Sequence, residues 1–138
     1  MTRSSSRPAR RILLVDGDVE FHERLAAALA PAGIEVVLAL TAEFALLLLA
    51  RERVAAVLVD ARVGGSDGIA LIEALRRRGD RTPAVYLSSE WIDGATFRRL
   101  TGELEVAQIV HKPVIPAVFA AQLSQLLSLG EVRAEAAG

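Results

Sequence analysis

The stretch that most constrains this chain is Val54 to Gly68, VAAVLVDARVGGSDG. Six apolar residues, Val54 to Val59, run straight into a carboxylate, Asp60, and glycines follow at positions 64, 65 and 68. An apolar run of this length, rich in β-branched residues and stopped by glycines, is the pattern of a strand buried on both faces. Such a strand needs helices above and below it. Asp60 then stands at the carboxyl end of a central strand, at the mouth of a sheet. Whether it belongs to a site or is only a loop acid depends on what ends the neighbouring strands.

The rest of the chain supplies those neighbours. Ile12 to Val15 is an apolar tetrad that ends at Asp16-Gly17-Asp18 and reads as a short buried strand. Phe21, Leu25, Ala28 and Leu29 follow at helical spacing, and Pro31 and Gly33 end that helix. Ile34 to Ala39 is a second strand. Thr41 is placed to cap a helix over Ala42 to Arg53, which four consecutive leucines, Leu46 to Leu49, make apolar nearly all round, with an exposed patch expected. After the opening stretch, Ser66 or Asp67 caps a helix with Ile69, Ile72 and Leu75 inward. Arg76, Arg77 and Arg78 fall on its last turn, read as a solvated end that suits the helix dipole.

Ala84 to Leu87 is the fourth strand and ends at Ser88. Ile92 to Leu100 is a weaker helix closed by Gly102. Val106 to Val110 is the fifth strand and runs into His111-Lys112-Pro113. Pro116 opens the last helix, which runs to about Leu129 with Val118, Phe119, Leu123, Leu126 and Leu127 as its apolar face. Five strands alternating with five helices make a doubly wound α/β fold. Its five-stranded parallel sheet has the flavodoxin-like order 2-1-3-4-5, with helices on both faces. Residues 1–11 (MTRSSSRPARR) read as a disordered basic leader, 12–129 as the domain, and 130–138 as a short tail.

Composition narrows the function. The 138 residues carry 16 basic and 17 acidic side chains, so no electrostatic case exists for direct nucleic-acid binding. The absence of cysteine removes disulfides, thiol nucleophiles and cysteine-held zinc. No apolar run has the length of a signal peptide or a membrane span, so the expected location is cytoplasmic. There is no G-x-G-x-x-G or Walker pattern for a nucleotide, and no loop looks like a flavin phosphate site. His22 and His111 read as ordinary surface histidines, and Trp91 as a surface or partner-face residue.

The first, third, fourth and fifth strands end in Asp16, Asp60, Ser88 and Lys112. In a parallel sheet these four lie along one edge, and the strand order reverses between the strands that end in Asp16 and Asp60. A carboxylate can act as a nucleophile toward phosphorus, and phosphoryl transfer is catalysed mainly by positioning and charge neutralisation. Magnesium held by carboxylates, the Lys112 ammonium and the Ser88 hydroxyl would supply that neutralisation.

With these residues in place, the sequence resembles the receiver domain of two-component response regulators, from about Ile12 to Leu129. The resemblance implies that Asp60 is the phospho-acceptor, and that Asp16, Asp60 and the backbone carbonyl of Arg62 hold magnesium. It further implies that Ser88 is the switch hydroxyl and Lys112 the phosphate-sensing lysine, with a cis Lys112-Pro113 peptide. The run from Asp60 to Asp67-Gly68 also fits the family's pattern. The implied donor is a histidine kinase or phosphotransfer protein, and the implied output is a downstream protein on the face of the fourth helix, fifth strand and fifth helix. A homodimer is left open, as is whether the chain stands alone or is cut from a larger protein. The resemblance implies no enzyme beyond assistance to its own phosphotransfer and dephosphorylation.

Four departures qualify this reading. The second acid of the usual pair is Gly17, so magnesium is expected to be weakly held, and Asp18 reads as a helix-start acid rather than a replacement. Val63-Gly64 stands where methionine-proline is usual. The aromatic that swings inward in the family is Ile109. The spacing from Ser88 to Lys112 is slightly longer than usual. The alternative expectation is therefore a degenerate receiver, a protein-interaction module that works without phosphorylation because Gly17 weakens the metal site.

Overall fold

The computed structural model describes residues 10–137, with side chains described for 10–128. The central layer is a parallel sheet of β1 (Arg10–Val15), β2 (Ile34–Ala39), β3 (Ala56–Asp60), β6 (Ala84–Ser88) and β7 (Gln108–His111) in the order β2-β1-β3-β6-β7. This is the expected order, with β6 and β7 as the fourth and fifth strands. The extra pair, β4 (Arg62–Val63) and β5 (Ser66–Asp67), is a small antiparallel hairpin inside the opening stretch. Its two-residue loop is Gly64-Gly65, with φ of 51° and 83°. Both central residues need positive φ in the turn that suits a twisted hairpin, which is why glycines stand there.

The pleat divides the core into two layers. Leu13, Val15, Val57 and Val59 point to the side covered by α2 (Ala42–Arg51) and α3 (Gly68–Arg77). Ile12, Leu14, Ala56 and Leu58 point to the side covered by α1 (Val19–Leu29) and α5 (Pro116–Ala137). All eight are fully buried, as expected for strands with helices on both faces.

The structure differs from the sequence expectations at several points. β1 starts at Arg10 rather than Ile12, because Arg10 and Arg11 pair with Ile34 and Glu35. Residues 1–9 of the expected leader lie outside the described residues. α5 continues past Leu129 to Ala137, into the expected tail. Val118, expected on its apolar face, is exposed, and Ala120 is buried in its place. β3 begins two residues after Val54, and β7 begins at Gln108 rather than Val106.

The helix expected over Ile92 to Leu100 is α4 (Gly94–Arg98), continued by a π turn at Arg99–Glu103 that runs through Gly102 instead of closing there. A π turn takes up surplus residues without breaking the helix, and it lies in the stretch expected to run longer than usual. It buries Leu100 and Leu104 under the sheet, while β7 keeps its pairing with β6.

Arg76 is not part of a solvated helix end. Its guanidinium donates to the carbonyls of Leu104, Asp80 and Thr82 at 2.8, 3.0 and 2.9 Å. It ties the end of α3 to the chain before β6 and to the end of the π turn. Arg77 is exposed, and Arg78 donates to the Leu46 carbonyl of α2. On α2, Phe44 and Leu47 stand exposed, the patch anticipated from its four leucines.

Candidate functional site

Asp16 and Lys112 follow β1 and β7, and Asp60 and Ser88 end β3 and β6, so parallel pairing brings the four to one edge. Asp16 and Ser88 are the two buried polar side chains among the described residues. The Lys112 ammonium donates to Oδ2 of Asp16 at 2.9 Å and to Oδ1 of Asp60 at 3.2 Å. It also lies 5.1 Å from the centre of the Phe21 ring of α1, which seats the cation against an apolar wall. Burial alone would lower the lysine pKa. The hydrogen bond and charge of Asp16, and then the charge and hydrogen bond of Asp60, outweigh it and raise the pKa. Lys112 is therefore a fixed cation between two carboxylates. The Lys112-Pro113 peptide is cis, as the resemblance implied.

Backbone donors complete the setting of both acids. The other oxygen of Asp16 accepts the Asp18 N–H at 3.0 Å. Asp18 itself caps α1 by accepting the Phe21 N–H at 3.0 Å, as expected of a helix-start acid. Oδ2 of Asp60 accepts the Arg62 N–H over a long 3.3 Å. Gly68, which opens α3, sits so close to β3 that a Cβ there would fall 2.2 Å from the Asp60 carbonyl oxygen. Only glycine fits that contact. Asp67, one of two caps proposed from sequence, caps α3 through the Ile69 N–H.

Ser88 is placed at the mouth, yet its hydroxyl is engaged elsewhere. It donates to the Glu90 carbonyl at 3.1 Å and accepts the Glu90 N–H at 3.0 Å. Glu90 in turn receives two hydrogen bonds, at 3.0 and 3.2 Å, from the Arg62 guanidinium. The sequence reading missed Glu90. It lies 28 residues from Arg62, and no local pattern announces such a pair.

The side chains at the mouth offer magnesium few ligands. Among the described residues no group of three or more His, Asp or Glu side chains is gathered to hold a metal. Asp16 and Asp60 remain, and a magnesium ion commonly takes one or two carboxylates and fills its other positions with water and phosphate oxygens. The residues present fit such an ion with one side-chain ligand fewer than an acid at position 17 would give. A Cβ at Gly17 would meet nothing within 4 Å, so no neighbour fills the space beside it.

Comparison with known proteins agrees with this geometry. The family model for the response regulator receiver domain matches residues 12–124. No curated protein matches the chain. Among solved structures, it is similar to the receiver domain of the Francisella response regulator 1452, at 20% identity and a TM-score of 0.77, covering 88% of this chain and 98% of that one. The signal receiver domain of a Luxo repressor protein from Vibrio parahaemolyticus superposes with a TM-score of 0.82 at 12% identity, over 94% of this chain and 98% of that one. A sensor protein from Polaromonas sp. JS666 is 28% identical, with a TM-score of 0.71, over 88% and 98%. Five parallel strands in this order, carrying acids, a hydroxyl and a lysine at their ends, and a family match over most of the chain lead to one assignment: this chain belongs to the response regulator receiver domain family.

Proposed function

We propose that Asp60 accepts a phosphoryl group from a phosphohistidine on a kinase or phosphotransfer protein, and that the charge it gains alters partner binding. The observation that carries this reading is Lys112, which reaches two carboxylates from strands 96 and 52 residues away. A carboxylate oxygen of Asp60 attacks phosphorus, the phosphorus–nitrogen bond breaks, and the leaving imidazole takes up a proton. Oδ2 of Asp60, held among the described residues only by the long Arg62 N–H bond, is the oxygen less committed to Lys112. Lys112 neutralises charge on the incoming group. Ser88 donates to a phosphoryl oxygen once its hydroxyl leaves the Glu90 carbonyl.

Magnesium, held by Asp16, Asp60 and the Arg62 carbonyl, supplies further neutralisation when bound. The downstream partner is assigned to the face of α4, β7 and α5, and a homodimer is left open by the same reading. The experiment is incubation of the chain with a small acyl phosphate and magnesium, read by intact mass. An adduct of one phosphate, absent in Asp60→Asn, supports the reading. No adduct from either the small donor or any phosphorylated kinase overturns it.

A second reading, interaction without phosphorylation, is favoured by Gly17 and by the Ser88 hydroxyl closed onto Glu90. Ile109 adds to it, because an aliphatic side chain cannot make the family's ring movement. A magnesium titration separates the two. A response ordinary for the family argues for phosphotransfer, and a weak response restored by Gly17→Asp argues for the second.

A further inference from the structure

Beside the Asp60 mouth, between the β4–β5 hairpin and the start of α4, lies a cavity of about 420 Å³. Tyr86, Asp67, Arg62, Glu90, Trp91 and Asp93 all line it. Tyr86 is 5% exposed, and its hydroxyl has no hydrogen-bond partner among the described residues. The Tyr86 side chain borders the cavity, so a polar group seated there is placed to bond its hydroxyl. Asp67 spends Oδ1 on the Ile69 N–H, and its second oxygen is likewise without a hydrogen-bond partner among the described residues. Three carboxylates face one guanidinium around the cavity, which disfavours an anion. Trp91 stands 90% exposed at the rim, an indole face with little to cover it.

We propose that this cavity receives the guanidinium of an arginine presented by a partner protein. The group's N–H donors meet the free Asp67 oxygen and the Tyr86 phenol oxygen, and its plane stacks on Trp91. A lysine ammonium offers no plane to stack. A protein source fits better than a free small molecule because Trp91 at the rim and Phe97, next in sequence to the lining residue Thr96 on α4, are large apolar side chains left exposed for a chain to cover. The inference does not depend on phosphoryl acceptance at Asp60, and its test contains neither magnesium nor a phosphodonor.

The probe is the capped peptide acetyl-Ala-Arg-Ala-amide, titrated into the full chain while Trp91 fluorescence is followed. A saturable change is expected. Replacing arginine by citrulline, which keeps the shape and removes the charge, weakens it about tenfold or more. Lysine in its place also weakens it. Asp67→Asn, which retains the helix cap, and Tyr86→Phe each reduce the affinity, with far-UV circular dichroism checking that the variants fold. Tyr86→Phe removes one hydroxyl and carries the test if Asp67→Asn does not fold. No saturable change overturns the proposal, as does equal binding of the citrulline or lysine peptide. Indifference to both substitutions does the same. Arginine amide binding as tightly as the peptide overturns the assignment of a protein as the source.

Discussion

The Lys112 ammonium lies 2.9 Å from a carboxylate oxygen of Asp16 that is almost fully removed from water. With Asp60 at 3.2 Å on its other side, this ammonium offsets one of two negative charges at the mouth. The resting site thus carries one net negative charge and holds its own counter-ion.

Removing that counter-ion leaves Asp16 buried beside Asp60 with no cation. Lys112→Met is expected to lower stability by about 1–3 kcal/mol, the range for a buried group stripped of its partner. Magnesium restores part of the loss, because it supplies a cation to the same two carboxylates. Urea unfolding with and without magnesium checks both statements.

The alkaline limb of stability follows from two groups. The Lys112 pKa is raised in the folded state, so its contribution is complete below the unfolded value of 10.5 and is lost as pH climbs through the folded value. The Tyr86 phenol is pushed up by burial and then by the charges of Asp67, Asp60 and Glu90. It ionises more readily in the unfolded chain, so it also weakens the fold above its unfolded value of 10.0. The urea midpoint should fall steadily above about pH 10. Lys112→Met and Tyr86→Phe should each flatten part of that decline, and a midpoint unchanged up to pH 11.5 would contradict both assignments.

Arg76 holds three carbonyls from two segments. Arg76→Leu leaves them without their donor and is expected to cost about 2–4 kcal/mol in chemical denaturation. Arg76→Lys recovers only part of this, because an ammonium cannot reproduce the planar fork of donors.

Gly17→Asp adds a carboxylate where nothing stands within 4 Å of the new Cβ. Magnesium affinity is expected to rise roughly 10–100-fold. Titration calorimetry on the two proteins measures it directly, and an unchanged affinity would show that position 17 does not face the metal.

Much of this was legible in the sequence because the informative signals are local. A buried strand needs an unbroken apolar run, and Ile12 to Val15 and Val54 to Val59 provide it. Strand ends then placed Asp16, Asp60, Ser88 and Lys112 without any knowledge of the side chains around them. The hairpin at Arg62–Asp67 escaped because two-residue strands carry no period, although Gly64-Gly65 is itself a hairpin signal. Arg76 escaped for another reason. A helix-end arginine satisfies the dipole equally well in water or against a carbonyl, and the choice is made by loops elsewhere in the chain. The Arg62–Glu90 pair and the Ser88–Glu90 turn are of the same kind, fixed by folding and silent in the sequence.

The close approach at Gly68 makes the two sides of the mouth mechanically unequal. On one side, the Asp60 carbonyl and the first turn of α3 touch backbone to backbone, with no side chain between them to yield. On that side α3 is built directly against the carboxyl end of β3. The opposite jaw, from Ser88 to Glu90, is closed by side-chain hydrogen bonds that can be exchanged one at a time. The two sides of the mouth thus differ in what holds them, backbone against backbone at α3 and side-chain hydrogen bonds at the β6–α4 side.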